Sequence, residues 1–401
     1  MTIRKDRIRD PAGSLPFPLE EYRARRCRVQ AAMDDRGIDV LYVTSPANLC
    51  YLTGYEAIWY PSRLPLGLAV VRDGEQTVFF DWTRHHAYVS TRVLCGEIVL
   101  FDYGSASQTV LNAFSSRGWS QRVVAIERCS PSPAAPVMSE LANLLEKAGA
   151  TLVAGDWIVD QIRLYKSPTE VERVRRAAAI ADDAMLQLGK DLKPGMTELE
   201  VSAHLTGLLA QRGSEIAAIP PLVNSGPTAW ADTHAFPSRR KLEPGDVVAV
   251  DCCAVVDRYH ANLGRTFSLG SPNPRAARLL ALAADSILEL QRLARLGEGP
   301  ETAAAAAERF VRERIAAKHV WWVGGYALGI AMPPNWVGHT YLANDGVERC
   351  RWDPGYVSNF ENVFIDAEEG FEAGTIDTVL MTDTGLEVLS SIPRVLLAAG
   401  C

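Results

Sequence analysis

Histidine and cysteine are the residue types of this sequence best suited to proton transfer, metal binding or redox chemistry. The eight cysteines are dispersed, with no Cys-x-x-Cys pair and no zinc-like spacing, which argues against a zinc site. His85 and His86 are adjacent but have no ligand partners nearby, so we expect them on a surface helix. His234 follows Asp232 in a loop-like run, and its imidazole is suited to acid–base work because its pKa lies near working pH. The alternative for His234 is a structural histidine bonded to Asp232 or to a backbone carbonyl.

Length and composition limit the classes of protein that this chain can belong to. It has 401 residues, enough for two or three domains, and 48% of them are hydrophobic, which excludes disorder for most of the chain. A net charge of −7 makes it a poor candidate for binding nucleic acid or an anionic membrane. No apolar run approaches the ~20 residues of a membrane span, and the N-terminal residues lack the apolar stretch of a signal peptide. We therefore expect a soluble, cytoplasmic protein with reduced cysteines.

The two parts of the chain differ in their pattern of secondary structure. Short apolar, β-rich runs alternate with helical patterns through about residue 155, which predicts an α/β domain over residues 1–155. Pro168, with acidic residues in the turn that follows, predicts the start of a long helix. Runs of helices then stand beside runs of strands, which predicts an α+β domain over residues 160–401.

Several motifs, in order along nearly the whole chain, resemble those of one enzyme superfamily. They are SPANLCYLTGY at 45–55, RLYKSPTE at 163–170, KPGMTE at 193–198, GDVVAVD at 245–251 and GRT at 264–266. The superfamily is that of creatinase, prolidase and Xaa-Pro aminopeptidase. The resemblance implies a creatinase-type N-terminal α/β domain, an α+β pita-bread catalytic domain and a homodimer.

The resemblance also carries over a metal site, and this sequence departs from it. Peptidase members hold two metal ions through Asp, Asp, His, Glu and Glu. These positions fall in turn on Asp251, Asn262, Tyr326, Ala367 and Ile376, and one-residue slips offer Glu368 and Asp377 for the last two. Neutral Asn, Tyr and Ala cannot neutralise two divalent cations about 3.5–4 Å apart. We therefore predict a metal-independent enzyme with no cofactor.

Two further runs resemble the branch of the superfamily that contains ectoine hydrolase. They are RYHANLGRT at 258–266 and GYALGIAMPPNW at 325–336. Creatinase and ectoine hydrolase also lack the full metal set, so the missing ligands fit this branch. The fold additionally carries a sulfonium lyase, and the resemblance therefore leaves the reaction open.

The resemblance assigns catalytic roles to His234, Asp251 and Asp377. His234 occupies the H-x-x-P position, at which the metal-free members place the general base and acid. Asp251 and Asp377 are expected to approach each other across the central sheet and to bind an ammonium, amidinium or guanidinium group. Because two neighbouring carboxylates repel each other, the pKa of either Asp251 or Asp377 would also be raised, and that group could then donate a proton. The alternative is a structural relic bonded to neighbouring side chains.

Five more residues are predicted to contact the substrate. Arg63 of the partner subunit would grip a substrate carboxylate, since its planar guanidinium pairs with carboxylate bidentately, unless it is a solvated surface residue. Tyr326 would bond a polar group or only fill the vacated metal volume, and His260 would face either the pocket or a helix. His339 and Trp336 complete this set.

The resulting hypothesis is a hydrolase of a non-peptide C–N bond in a small polar, carboxylate-bearing molecule. A cyclic amidine, a guanidino acid or a modified amino acid would suit such a pocket. Three alternatives stay open: a lyase or cyclase using the same side chains, a metal-dependent Xaa-Pro dipeptidase, and a dimer without catalytic activity. The expected partners are a small-molecule substrate and a second copy of the chain.

Overall fold

A computed structural model describes residues 2–4, 15–59, 62–130, 132–338, 340–341 and 350–399. Its backbone separates into two compact units, Met1–Arg163 and Leu164–Cys401. The cysteines in the described ranges are all free thiols. None of the helices in these ranges combines the length and the apolar character needed to cross a membrane.

The N-terminal unit is built on a mixed sheet with helices, so the predicted α/β class is confirmed. Its elements are β1 Thr2–Arg4, α1 Leu19–Asp35, β2 Val40–Val43, α2 Pro46–Thr53, β3 Gly67–Val71, β4 Thr77–Trp82, α3 His86–Arg92, β5 Glu97–Phe101, α4 Ala106–Ser115, β6 Val123–Ile126, α5 Ala135–Lys147, β7 Thr151–Ala154 and α6 Ile158–Leu164. The strand order is β1-β5-β4-β3-β2-β6-β7. Strands β2, β6 and β7 run parallel, as do β4 and β5, whereas β3 is antiparallel to both of its neighbours.

A buried carboxyl group anchors the beginning of α2. Glu127 accepts hydrogen bonds from the backbone amides of Thr44 and Ser45, each at 2.6 Å, and from Asn48 Nδ2 at 2.8 Å. These bonds fix the two residues that lead into α2, which begins at Pro46, and they tie the side chain of Asn48 in its first turn to the same carboxyl group. The asparagine of the SPANLCYLTGY motif therefore has a structural role in this chain.

The C-terminal unit is built on a larger sheet and four long helices, which confirms the predicted α+β class. Its elements are α7 Pro168–Asp191, α8 Glu198–Gln211, β8 Leu222–Ser225, β9 Val247–Val256, β10 Tyr259–Leu269, α9 Pro274–Leu293, α10 Pro300–Arg312, β11 Val320–Gly324, β12 Val357–Asp366, β13 Phe371–Thr382, β14 Gly385–Val388 and β15 Leu397–Ala399. The main strand order is β11-β12-β13-β10-β9-β8, with β14 paired to β13 and β15 to β10. Neighbouring strands are antiparallel except for β10 and β15.

Helices α7 and α8 both begin with capping boxes, and the start of α7 at Pro168 is the one predicted above. Ser167 Oγ accepts from the Glu170 amide at 3.4 Å, and Glu170 Oε2 accepts from the Ser167 amide at 2.7 Å. Thr197 and Glu200 make the same pair of bonds at the start of α8, at 3.1 and 2.7 Å. Each box satisfies backbone donors that the helix itself leaves free. These motifs therefore mark helix boundaries, and both lie outside the cavity described below.

The two faces of the C-terminal sheet are distinct environments. Asp251 lies opposite Gly264, Gly264 lies opposite Ile376, and Ile376 lies opposite Glu361. Residues paired across a sheet point to the same side, and we call this side the cavity face. The next residues along each strand point to the other side, the helix face. There, strand residues are buried with α9 and α10 in one apolar core that includes Phe360, Phe364, Ala373, Val379 and Met381.

Candidate active site

A cavity of about 410 Å³ lies against the cavity face of the C-terminal sheet. Alternate residues of five strands line it, namely Leu222, Asn224, Ala249, Asp251, Gly264, Glu361, Val363, Glu372, Gly374 and Ile376. The loop before β9, strand β11 and the segment after it supply the remaining walls, with Thr233, His234, Trp321, Trp322, Tyr326, Trp336 and Val337. The cavity is thus apolar and aromatic over much of its surface, with polar groups at a few positions.

Three carboxyl groups line this cavity from three different strands. Asp251 on β9 is partly buried, whereas Glu361 on β12 and Glu372 on β13 are each only 8% exposed. Asn262 Nδ2 donates to Asp251 Oδ1 at 2.6 Å, and Asn359 Nδ2 donates to Glu361 Oε1 at 2.6 Å. The hydrogen-bond donors that reach these carboxyls from the described residues are neutral.

Burial makes all three carboxyl groups harder to ionise. The pKa of Glu361 is raised to about 8, chiefly by burial and also by the nearby charge of Asp251, while hydrogen bonds to the carboxylate oppose the shift. Burial likewise raises the pKa of Glu372 and of Asp251, each to about 7. Near neutral pH the cavity therefore offers protonated and ionised carboxyl groups side by side.

Amide and hydroxyl groups stand where the resemblance placed the second and third metal ligands. Asn262 Oδ1 accepts from Asn359 Nδ2 at 2.9 Å and from the Tyr326 hydroxyl at 3.4 Å. Trp336 Nε1 donates to the same hydroxyl at 3.1 Å. Burial holds the pKa of Tyr326 well above its usual range, so this side chain is a neutral phenol. The positions are thus joined to one another by hydrogen bonds.

This set of donors does not fit a pair of divalent cations. Asp251 faces an amide N–H instead of a second carboxylate, Tyr326 is un-ionised, and Ile376 is apolar. Two metal ions bridged by carboxylates need more anionic or imidazole ligands than these positions supply. In the ranges that the structure describes, no group of three or more His, Cys, Asp or Glu side chains is placed to hold a metal.

His234 borders the same cavity from the loop before β9. Its side chain is exposed, and its ring meets the Trp321 ring edge to face, with centroids 4.9 Å apart and planes at 89°. Among the described residues, none makes a hydrogen bond to the imidazole, so the alternative bond to Asp232 is absent. The structure therefore brings together an accessible imidazole, three carboxyl groups and an aromatic wall.

Asp377 is not part of this site, which corrects a prediction. It follows Ile376 on β13, so its side chain lies on the helix face, where it is fully buried. Arg265 Nη2 donates to its Oδ1 at 2.8 Å, and Arg394 Nε donates to its Oδ2 at 2.8 Å. The expectation that Asp251 and Asp377 approach each other is wrong, because a shift of one residue along a strand turns the side chain to the opposite face.

His260 does not contact the cavity either, against its predicted role in substrate binding. The ring is fully buried and does not line the cavity, with Nδ1 2.9 Å from the Arg258 carbonyl and Nε2 accepting from the Ala218 amide at 3.1 Å. Burial lowers the pKa of His260 to about 3. The side chain is thus neutral, both ring nitrogens have backbone partners, and its role is structural.

The other predicted substrate contacts are in different situations. Tyr326 and Trp336 line the cavity, and their contact with a substrate stays a prediction. Arg63 is an exposed residue of the N-terminal unit, and its grip on a substrate carboxylate stays a prediction, as does the homodimer. His339 lies outside the described residues.

Sequence reasoning missed Glu361 and Glu372. It placed a glutamate of the metal site at Ala367 or Glu368, but both are exposed in the turn after β12, and Glu368 pairs with Lys318 at 2.5 Å. One signal was available: Glu361 interrupts an otherwise uncharged, β-rich run, and an isolated acid inside a buried strand seldom occurs without a reason. Strand pairing then identifies its register, since Glu361 lies opposite Ile376.

Comparison with known families assigns the chain. The model described as metallopeptidase family M24 matches residues 172–383, and the creatinase/prolidase N-terminal domain model matches residues 25–165. The chain belongs to metallopeptidase family M24. The predicted membership of the creatinase and prolidase superfamily is thereby confirmed, and so is the broad class of hydrolase.

Several M24 relatives resemble the chain over nearly its whole length. An ectoine hydrolase from Halomonas elongata is 26% identical over 411 residues, covering 95% of this chain and 98% of that protein. A Xaa-Pro dipeptidase from Pyrococcus furiosus is 25% identical over 377 residues, covering 91% and 97%. Two relatives of nearly equal identity thus act on different substrates, so identity alone does not choose between them.

Solved structures of M24 proteins share the two-domain fold. A dipeptidase PepE from Mycobacterium ulcerans has a TM-score of 0.79 at 22% identity, covering 96% of this chain and 100% of that one. A prolidase from Thermococcus sibiricus has a TM-score of 0.81 at 20% identity, covering 94% and 99%. The predicted creatinase-type and pita-bread architecture is confirmed, and at these identities the likeness concerns the fold alone.

Proposed function

We propose that this M24 protein hydrolyses a non-peptide C–N bond in a small molecule whose reacting end is an amidinium or guanidinium group, and does so without a metal ion. The observation that carries the proposal is the cavity with three carboxyl groups and, among its described lining residues, no cationic partner for them. Arg265 is basic and borders the cavity, but its guanidinium is committed to Asp377. A planar cation that donates pairs of hydrogen bonds would supply the missing charge.

His234 is suited to move the proton in this reaction. As water adds to the central carbon of the amidinium, the imidazole would take one proton from that water. It would return the proton to the departing nitrogen as the C–N bond breaks, with the net addition of one water. An amidinium then yields an amide and an ammonium group, and a guanidinium yields a urea and an ammonium group, so the positive charge leaves on the departing nitrogen. Asp251 and Glu361 would hold the N–H groups of the cation, and the Trp321 and Tyr326 rings would face its planar charge.

The rest of the substrate is less constrained by this cavity. Ectoine is the first candidate substrate, because one of the relatives is named ectoine hydrolase. Ectoine is a cyclic amidine that carries a carboxylate. The described lining offers no uncommitted cation for that carboxylate, which leaves Arg63 as the predicted partner. A guanidino acid such as creatine has the same two ends and is the second candidate.

The test is turnover of ectoine, creatine and an Xaa-Pro dipeptide in ¹⁸O-labelled water, before and after treatment with a chelator. We expect the amidine or the guanidino acid to be hydrolysed with one labelled oxygen per product, and the chelator to have no effect. His234→Ala should lower kcat by ~10²–10⁴-fold, because the acid–base group is lost. The exposed His86→Ala variant is the matched control and should retain full turnover.

Different outcomes would overturn different parts of the proposal. Cleavage of the dipeptide alone, inactivation by the chelator, or two tightly bound divalent ions per chain would return the protein to the metal-dependent dipeptidases. A product without label would indicate a lyase or cyclase. Near wild-type turnover by His234→Ala would remove the imidazole from the mechanism.

A further inference from the structure

His234 lies in a backbone conformation that is unusual for its residue type. The Ala235 amide donates to the Asp232 carbonyl at 2.7 Å, which closes a four-residue turn over Asp232–Ala235, here called the His234 turn. His234 is the third residue of this turn and has a φ of 73°. A positive φ at this position of a turn favours glycine or asparagine, because a β-carbon is crowded there. A histidine kept there needs support from the surrounding structure.

The imidazole itself contributes little of that support. In the described part of the chain its ring has no hydrogen-bond partner, and its recorded ring contact is the edge-to-face packing on Trp321. Its position in the cavity therefore depends on the backbone of the His234 turn. What holds the turn decides where the imidazole is.

A carboxyl group of the sheet holds the turn through the residue before the histidine. Thr233 Oγ1 donates to Glu372 Oε2 at 2.8 Å. Asn224 Nδ2 donates to the same oxygen at 2.9 Å, which orients the carboxyl group from β8. Both Asn224 and Glu372 are at most 8% exposed, so this anchor sits in the rigid part of the unit. The hydrogen bonds form one chain from the sheet to the residue next to His234.

We propose that Glu372 is a positioning residue for His234, acting through Thr233 to hold the His234 turn against the sheet. The role rests on the proposed function, in which His234 moves the proton. Glu372 costs stability where it stands, because it is a buried acid whose described partners are neutral. A mere filler at this position would be an apolar side chain, whereas the hydrogen bond from Thr233 gives an acceptor oxygen here a use. Positioning of this kind matters because displacements of about 1 Å can cost catalysis heavily.

The test uses four variants in two matched pairs. Thr233→Val and Glu372→Leu remove the hydroxyl or the acceptor with little change of volume. Thr233→Ser and Glu372→Gln retain a hydroxyl or a carbonyl oxygen and should restore the contact. Thr228→Val is the control, since Thr228 is an exposed threonine of the same loop whose side chain makes no recorded bond to Glu372.

The first readout is the imidazole signal of His234 in protein labelled with ¹³C at histidine Cε1, assigned by its disappearance in His234→Ala. In the wild type, we expect the Trp321 ring to displace this signal from the position of a free histidine. We expect the displacement to be lost in Thr233→Val and Glu372→Leu and kept in Thr233→Ser, Glu372→Gln and Thr228→Val. This readout needs no substrate, so it decides the positioning role even if the proposed reaction fails.

The second readout is turnover of whichever amidine or guanidino substrate is cleaved. We expect kcat to fall about 10- to 100-fold in Thr233→Val, with KM nearly unchanged, and to recover in Thr233→Ser. An unchanged imidazole signal in both Thr233→Val and Glu372→Leu, with each variant folded by its melting curve, would overturn the proposal. The proposal would also be overturned if the displacement of the signal were lost in the control Thr228→Val to the same extent as in Thr233→Val and Glu372→Leu.

Discussion

The two faces of the C-terminal sheet treat carboxyl groups in opposite ways. On the helix face, Asp377 is fully buried and is bonded to the guanidinium groups of two arginines. On the cavity face, Asp251, Glu361 and Glu372 have only neutral donors among the described residues, and burial raises the pKa of each. The two sets are carried by the same few strands, and Asp377 is adjacent to a cavity-lining residue.

The presence or absence of cationic partners distinguishes a carboxylate that stabilises the fold from one that is available to bind a ligand. A buried carboxylate already paired with cations has its charge satisfied by the protein, and removing either partner leaves an uncompensated charge. A buried carboxyl group without a cation destabilises the folded chain unless a ligand supplies the missing charge. The carboxyl groups of the cavity face thus cost stability, as expected where function and stability compete, and the proposed cationic substrate would offset that cost.

The largest contrast is expected from the same substitution made on each face. Asp377→Asn should lower the free energy of unfolding by about 3–5 kcal/mol, because it leaves the fully buried Arg265 guanidinium without its counter-charge. Asp251→Asn should change it little or raise it, because it removes an unpaired buried acid. Urea unfolding of the two variants measures both values. Equal losses would show that the two faces do not differ in this way.

A smaller effect is expected in the pH dependence of stability. The pKa of Glu361 is raised to about 8, so between its ordinary value and pH 8 the folded chain holds a proton that the unfolded chain has released. Unfolding therefore releases a proton, and stability falls as pH rises through this range. Glu361→Gln should remove that loss of stability. At pH 8 we expect the free energy of unfolding to increase by roughly 1 kcal/mol and Tm to rise by about 2–4 °C. At pH 5 the rise in Tm should be smaller.

The control for Glu361→Gln is Glu368→Gln, because Glu368 is an exposed acid in the turn after β12. Lys318 lowers the pKa of Glu368, so this side chain causes no loss of stability as the pH rises. The Tm of Glu368→Gln should therefore not rise with pH relative to the Tm of the wild type. A Glu361→Gln variant whose advantage does not grow between pH 5 and pH 8 would contradict the raised pKa of Glu361.

The smallest effect is the exchange of a fraction of a proton on binding. Methylguanidinium at pH 7 should release up to about one proton from the cavity, because a cation beside Asp251 and Glu361 lowers their pKa values. Titration calorimetry in two buffers with different ionisation enthalpies measures this number. Methylurea, which has nearly the same shape without the charge, should release none. Binding of methylguanidinium without proton release would mean that its charge is not balanced by these carboxyl groups.

Local features of the fold were predictable from the sequence because they depend on neighbouring residues. The Ser167 and Thr197 capping boxes each lie within four residues, and both helix starts follow from them. The order of the motifs also predicted the two domains. The motif around His234 predicted a functional histidine, and the structure places that histidine at the cavity.

The composition of the site was less predictable because strand registers decide it. Asp377 and Ile376 are one residue apart on β13, and that step exchanges the two faces of a sheet. Nothing within β12 says which strand pairs with it, so the sequence does not indicate that Glu361 faces the cavity. The sequence does not place His260 either, because its partners, the Arg258 carbonyl and the Ala218 amide, are backbone groups whose proximity no side-chain motif records.

The amino-acid sequence is enough to predict the class of each domain, the order of the motifs, and neutral residues at positions 262 and 326, where the resemblance implies metal ligands. Which acids share a cavity, and which one is neutralised by arginines, follows only from the folded sheet. Secondary structure depends on interactions between near neighbours, whereas the charge state of a carboxyl group depends on everything packed around it. Those surroundings come from strands far apart in the chain, so they exist only once the sheet has formed.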